Sequence, residues 1–112
     1  MELKIGGKTY PLTFGLAFLR EMDKRHEADA GGSGLTFGFG VLSAIVALTQ
    51  RNPLILVDII QSATITEKSK PSVGEIETFL EEYKDLETLF EDFLSAFENA
   101  PLIACQLKQF RK

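Results

Sequence analysis

The strongest constraint on the fold is an apolar stripe in the last third of the chain. Between residues 76 and 97, apolar side chains recur at steps of three and four, which is the spacing of one face of an α-helix. These residues are Ile76, Phe79, Leu80, Tyr83, Leu86, Phe90, Phe93, Leu94 and Phe97. Acidic residues fill the positions between them. The pattern therefore predicts an amphipathic helix with a buried apolar face and a solvated acidic face.

Local signals set the limits of this helical region. Ser72 and Glu75 match the capping box that begins a helix. Asn99, Ala100 and Pro101 are expected to end it, because proline cannot continue a helix. The stripe fits either one long helix or two helices that break near Lys84 and Asp85. The core prediction comprises Phe79, Leu80, Tyr83, Phe90, Phe93 and Phe97, with Glu81, Glu82, Glu91 and Asp92 exposed.

Two other segments, residues 37–49 and 53–63, are apolar on nearly every side. Asp58 is the only charged residue in the second, and Asn52 with Pro53 forms a helix-start pattern before it. A helix that is apolar all round is buried all round, and a chain of 112 residues has little space for two such helices. We therefore expect a partner to cover part of the second one. The candidate partner-binding residues are Leu54, Ile55, Ile59 and Ile60.

The N-terminal residues predict a short β-hairpin. Leu3 and Ile5 share one strand face, as do Tyr10 and Leu12, and Gly6-Gly7 suits the two-residue turn between them. A first helix is expected over residues 14–25, followed by a Gly-rich loop over residues 26–34. The predicted fold is mainly α: a small helical domain of four to five helices with a short N-terminal β-hairpin. It forms a single domain over residues 1–112, comprising the hairpin (1–13), a helical body (14–99) and a basic tail (100–112).

The tail carries charge opposite to that of the acidic helices. We find no capped, periodic element after Pro101, so no helix is predicted there. The tail either folds back onto the acidic face or becomes ordered only on a partner. The candidate partner-binding residues in it are Lys108, Phe110, Arg111 and Lys112.

Charge and composition argue against several classes of protein. A net charge of −4 and a pI of about 5.0 disfavour nucleic acid as a partner, because duplex binders carry a basic face. A single cysteine, Cys105, allows no intrachain disulfide and fits a reducing cytoplasm. The N-terminus does not match a secretory signal, and the apolar stretch 35–49 is shorter than a membrane span. We therefore expect no membrane partner.

No pattern predicts catalysis, a metal site or a cofactor. His26 follows Lys24 and Arg25 at a helix end, where it suits the helix dipole better than a catalytic role. Cys105 has apolar neighbours, so a packed thiol is expected. The glycines at 31–34 lack the lysine of a phosphate loop. The carboxylates between residues 75 and 98 alternate with the apolar stripe, so we expect them to face solvent, and no histidine accompanies them.

One block of residues resembles a known family. The block reads Leu3-x-Ile5-Gly6-Gly7-Lys8-x-Tyr10-x-Leu12-x-Phe14-Gly15-Leu16-x-Phe18-Leu19-Arg20-Glu21-x-Asp23-Lys24. It is similar to the start of the tail assembly chaperones of long-tailed phages of Gram-positive bacteria. The resemblance continues through Gly38-x-Gly40, the two apolar helices around Asn52-Pro53 and the acidic region from Glu75 to Phe97.

The resemblance implies a non-enzymatic role. Such chaperones bind the tape measure protein in the host bacterial cytoplasm, keep it soluble while tail tube subunits polymerise around it, and are absent from the mature virion. The expected partners are thus the tape measure protein and the major tail tube protein, with a homo-oligomer also considered. Family members are often made in a longer, frameshifted form that extends from the C-terminus, which favours a partner-ordered tail.

Two other functions stay open at this point. The chain could be a phage neck or tail-completion subunit that remains in the particle, or a small bacterial regulator that binds other proteins.

Overall fold

The computed structural model describes the backbone of residues 1–25 and 39–110, and the side chains of residues 1–25 and 40–105. This part of the chain is mainly helical with an N-terminal antiparallel hairpin, as the sequence predicts. The strands are β1 (Glu2–Ile5) and β2 (Lys8–Pro11). The helices are α1 (Leu16–Arg25), α2 (Phe39–Thr49), α3 (Leu54–Ala63), α4 (Val73–Glu82), α5 (Leu86–Asn99) and α6 (Pro101–Phe110).

The hairpin turns on two glycines and is anchored to the end of α3 at its open end. Gly6 and Gly7 have φ angles of 59° and 81°, a left-handed pair that matches the twist of a two-residue hairpin. At the open end, the Thr13 N–H donates to the carbonyl of Ala63 over 3.0 Å. One face of the hairpin is buried through Leu3, Ile5, Tyr10 and Leu12. The hairpin therefore lies on the end of α3 instead of standing alone.

The last helical region divides into two helices, α4 and α5. Ser72 Oγ accepts from the Glu75 N–H, and a Glu75 carboxylate oxygen accepts from the Ser72 N–H, which confirms the capping box. Asp85 begins α5 by accepting from the Thr88 N–H over 3.1 Å. The same carboxylate accepts from the Thr88 hydroxyl, and this bond in particular lowers the pKa of Asp85. The break thus falls where the sequence places it.

The apolar stripe faces the core, and four of the six residues predicted to be core are buried. Ile76, Leu80, Phe90, Phe93 and Phe97 are buried, whereas Phe79 and Tyr83 are half-buried. The four acidic residues predicted to be exposed, Glu81, Glu82, Glu91 and Asp92, are exposed. Phe97 meets the rings of Phe14 and Phe18 edge to face at centroid distances of 5.4 and 5.9 Å. This aromatic cluster joins α5 to the start of the first helix.

Helices α1 and α2 approach closely at Gly40. A Cβ atom built on Gly40 would lie 2.3 Å from the carbonyl carbon and oxygen of Met22. The Gly40 N–H also donates to a carboxylate oxygen of Asp23 over 2.9 Å. Glycine at this position lets the two backbones touch, so its role lies in packing.

Arg51 holds the α2–α3 turn against α5. It has a φ of 59°, the left-handed conformation that favours glycine. Its guanidinium donates to Glu87 over 2.6 Å and to Glu91 over 2.9 Å, and lies over the ring of Phe90. The hydrogen bond from Arg51 lowers the pKa of Glu87. The long arginine side chain thus bridges two elements that are far apart in sequence.

The prediction that no helix follows Pro101 is wrong. Residues 101–110 form α6, and the side chain of Ile103 is fully buried. Pro101 suits the first position of a helix, where its missing N–H costs nothing. Ile103, Leu107 and Phe110 follow at steps of four and three, which is the helical spacing that should have indicated this element. With α6, the described helices number six, one more than the upper prediction.

We expect Gly40→Ala to destabilise the fold, although alanine is the better helix former. The added methyl group meets backbone atoms of α1, so the helices must separate, at a cost of about 1–3 kcal/mol. Gly74→Ala is the matched control, because only the Ser72 hydroxyl lies near its Cβ, at 4.0 Å. Chemical denaturation of both variants measures the difference. A Gly40→Ala variant as stable as Gly74→Ala would contradict the close contact.

We expect Phe93→Ala to lower the free energy of unfolding by about 3–5 kcal/mol, because the ring is fully buried and its removal leaves a cavity. Leu54→Ala, at a side chain that is 75% exposed, should change it by less than about 0.5 kcal/mol. Urea titrations of the two variants beside the parent chain provide the measurement. A loss below about 1 kcal/mol for Phe93→Ala would show that the residue is not core.

Candidate partner-binding surface

The four candidate residues on α3 divide into one exposed and three buried side chains. Leu54 is 75% exposed, whereas Ile55 is 5% exposed and Ile59 and Ile60 are fully buried. The expected exposed patch is therefore wrong for Ile55, Ile59 and Ile60. The physical reason is that α1, α2 and α4 all pack on α3 and cover these three isoleucines. Leu54 is the one member of the four that lies open to a partner.

A second apolar surface lies on α2, a helix without a charged residue. Leu42, Ser43, Val46, Ala47 and Gln50 line a shallow open groove on its outer side. Val46 is 39% exposed there. Since α2 ends at Thr49 and α3 begins at Leu54, the groove and Leu54 belong to two helices joined by a short turn. This surface was missed, because residues 37–49 are apolar on nearly every side and periodicity cannot indicate which side stays exposed.

The acidic face runs along α4 and α5. Exposed carboxylates follow both helices, including those of Glu77, Glu81, Glu82, Glu91 and Asp92. Arg51 brings positive charge onto this face through ion pairs with Glu87 and Glu91. Exposed carboxylates of this kind can attract a basic partner over several ångströms.

Several other predicted positions have a mixed outcome. Cys105 is exposed, so the expectation of a packed thiol is wrong: the residue lies on α6, which buries Ile103 instead. His26, the glycines at 31–34, Arg111 and Lys112 lie outside the described residues, and so do the side chains of Lys108 and Phe110. The tail candidates for partner binding therefore stay predictions.

Two properties of the described residues concern metal binding and membranes. Across residues 1–25 and 39–110, no group of three or more His, Cys, Asp or Glu side chains is arranged to hold a metal ion. Among the helices α1 to α6, none has the length and apolar character needed to cross a membrane. The exposed features of the described residues are the apolar side chains of Leu54 and Val46 and the acidic face. Both kinds of feature occur in protein-binding surfaces.

One of the comparisons with known proteins agrees with the family resemblance. A family model described as phage tail assembly chaperone protein, TAC, matches residues 2–112. No curated protein and no solved structure matches the chain. The family match includes the hairpin, the helices and the C-terminal tail. On this match across nearly its whole length, the chain belongs to the family of phage tail assembly chaperone proteins.

Proposed function

We propose that this chain is a non-enzymatic chaperone that binds the tape measure protein in the host bacterial cytoplasm and helps to recruit major tail tube subunits. In this proposal it leaves before the particle is complete and is absent from the mature virion. The observation that carries the proposal is the family match over residues 2–112. The named partners are those that the family resemblance implies.

The apolar surface supports a helical partner. Leu54 and the α2 groove around Val46 present apolar side chains that the described part of the chain leaves exposed. A helix with an apolar stripe can lay that stripe into such a groove, which removes apolar area from water on both sides. We assign this surface to the tape measure protein.

The acidic face supports the same proposal through charge. The chain has a net charge of −4, and the exposed carboxylates of α4 and α5 contribute much of it. Such a field raises the rate at which a basic segment meets the protein and makes that rate sensitive to salt. The basic tail residues Lys108, Arg111 and Lys112 are the second candidate contact, together with Phe110.

We expect the paired substitution Val46→Ser and Leu54→Ser to weaken binding of a tape measure fragment about tenfold, because it removes both exposed apolar anchors. Leu16→Ser is the matched control, since Leu16 is 56% exposed on α1, away from the assigned surface in sequence. Co-expression followed by co-purification and titration calorimetry measures the effect. Equal binding by all three proteins would place the contact elsewhere, with the tail as the next candidate.

Mass spectrometry of purified virions distinguishes the chaperone hypothesis from the hypothesis that the chain is a structural subunit. We expect the chain to be absent from mature particles and present in lysates that contain assembling tails. Deleting the gene should leave the tape measure protein insoluble and the tails unformed. Detection of the chain in mature particles at a fixed ratio to the tail tube protein would instead identify a neck or tail-completion subunit. A phage that assembles normally without it would favour a regulator.

A further inference from the structure

Strand β1 has one edge that β2 does not pair. Ile5 and Lys8 flank the two-residue turn, so Ile5 and Leu3 are the residues of β1 that exchange hydrogen bonds with β2. The backbone N–H and C=O groups of Glu2 and Lys4 therefore point outward, that is, toward the unpaired edge of β1. Across the described residues, β1 pairs with β2 alone. An unpaired strand edge is a template for another strand.

The two outer edges of the hairpin are not equivalent. On β2, the residues whose backbone groups point to the outer edge are Thr9 and Pro11. They lie directly opposite Lys4 and Glu2. Proline has no N–H, so the β2 edge offers fewer donors than the β1 edge. The β1 edge has both donors and both acceptors, and Lys4 also borders an open groove between the hairpin and α4. Strand addition is therefore favoured at β1.

Charge selects a second copy of the chain as the added strand. In an antiparallel pair of β1 strands, outward residues must lie opposite one another to form hydrogen bonds. One register sets Glu2 against Glu2, and another sets Lys4 against Lys4, so each places like charges together. The remaining register sets Glu2 against Lys4 at both ends and is centred on Leu3. It alone uses both edge residues of each strand and pairs opposite charges.

We propose that two copies of this chain associate through antiparallel pairing of their β1 strands, centred on Leu3, to form a continuous four-stranded sheet. The two-fold axis makes the contact self-complementary. Glu2 and Lys4 are exposed on the outer face, where each reaches its opposite charge on the second copy. Leu3 and Ile5 lie on the buried inner face, so the apolar face of the sheet becomes continuous.

Charge reversal tests the register. Glu2→Lys and Lys4→Glu each place like charges opposite one another at both ends, so each should raise the dimer dissociation constant about tenfold. The double variant Glu2→Lys with Lys4→Glu exchanges the charges and should restore the parent value. Sedimentation equilibrium of the full chain over a range of concentrations measures the constant, and circular dichroism verifies the fold of each variant. Failure of the double variant to recover dimerisation would overturn the register.

Proline substitution tests the edge. Lys4→Pro removes one of the two N–H groups that β1 points to its free edge. Thr9→Pro removes the N–H of the residue directly opposite on β2. Neither N–H takes part in a hydrogen bond within the hairpin. We expect Lys4→Pro to abolish the dimer and Thr9→Pro to preserve it. An equal effect of both changes would overturn the proposal. A parent chain that stays monomeric at the highest concentration reached would also overturn it and would leave the β1 edge to a strand of another protein.

Discussion

The arrangement of the helices depends on the need to bury α3. This helix has one charged residue, Asp58, and its side chains Leu56, Ile59 and Ile60 are fully buried. Such a helix can only be stable if other elements cover it on several sides, since each exposed apolar side chain would cost free energy in water. Helices α1, α2 and α4 provide that cover, and the hairpin is tied to its last residue through Thr13 and Ala63.

The features that could be predicted from the sequence are those set by neighbouring residues. The capping box of Ser72 and Glu75, the break at Asp85 and the inward face of Phe93 and Phe97 all depend on spacing along one helix. The hairpin likewise depends on two adjacent glycines. Helix α6 was not predicted, because its first residues lack a side-chain cap and the apolar periodicity that begins at Ile103 is weak. The burial of Ile103 depends on elements that are distant in sequence.

The candidate surface was predictable only in part for a related reason. The apolar character of α3 indicated burial, but the sequence could not say whether its own chain or a partner would cover it. The fold assigns three of the four residues to the core and leaves Leu54 exposed. The α2 groove and the left-handed backbone conformation of Arg51 depend on how the helices pack against one another. No local sequence pattern predicts that packing.

The tie between the hairpin and α3 has a consequence for synthesis on the ribosome. The hairpin is translated before α3, yet the Ala63 carbonyl that anchors it lies about 50 residues later in the chain. Because a lone hairpin is marginally stable, the N-terminal residues cannot hold their native conformation until α3 and α4 have emerged. The strands of the hairpin therefore become ordered only after the helices that follow them in the sequence have been made.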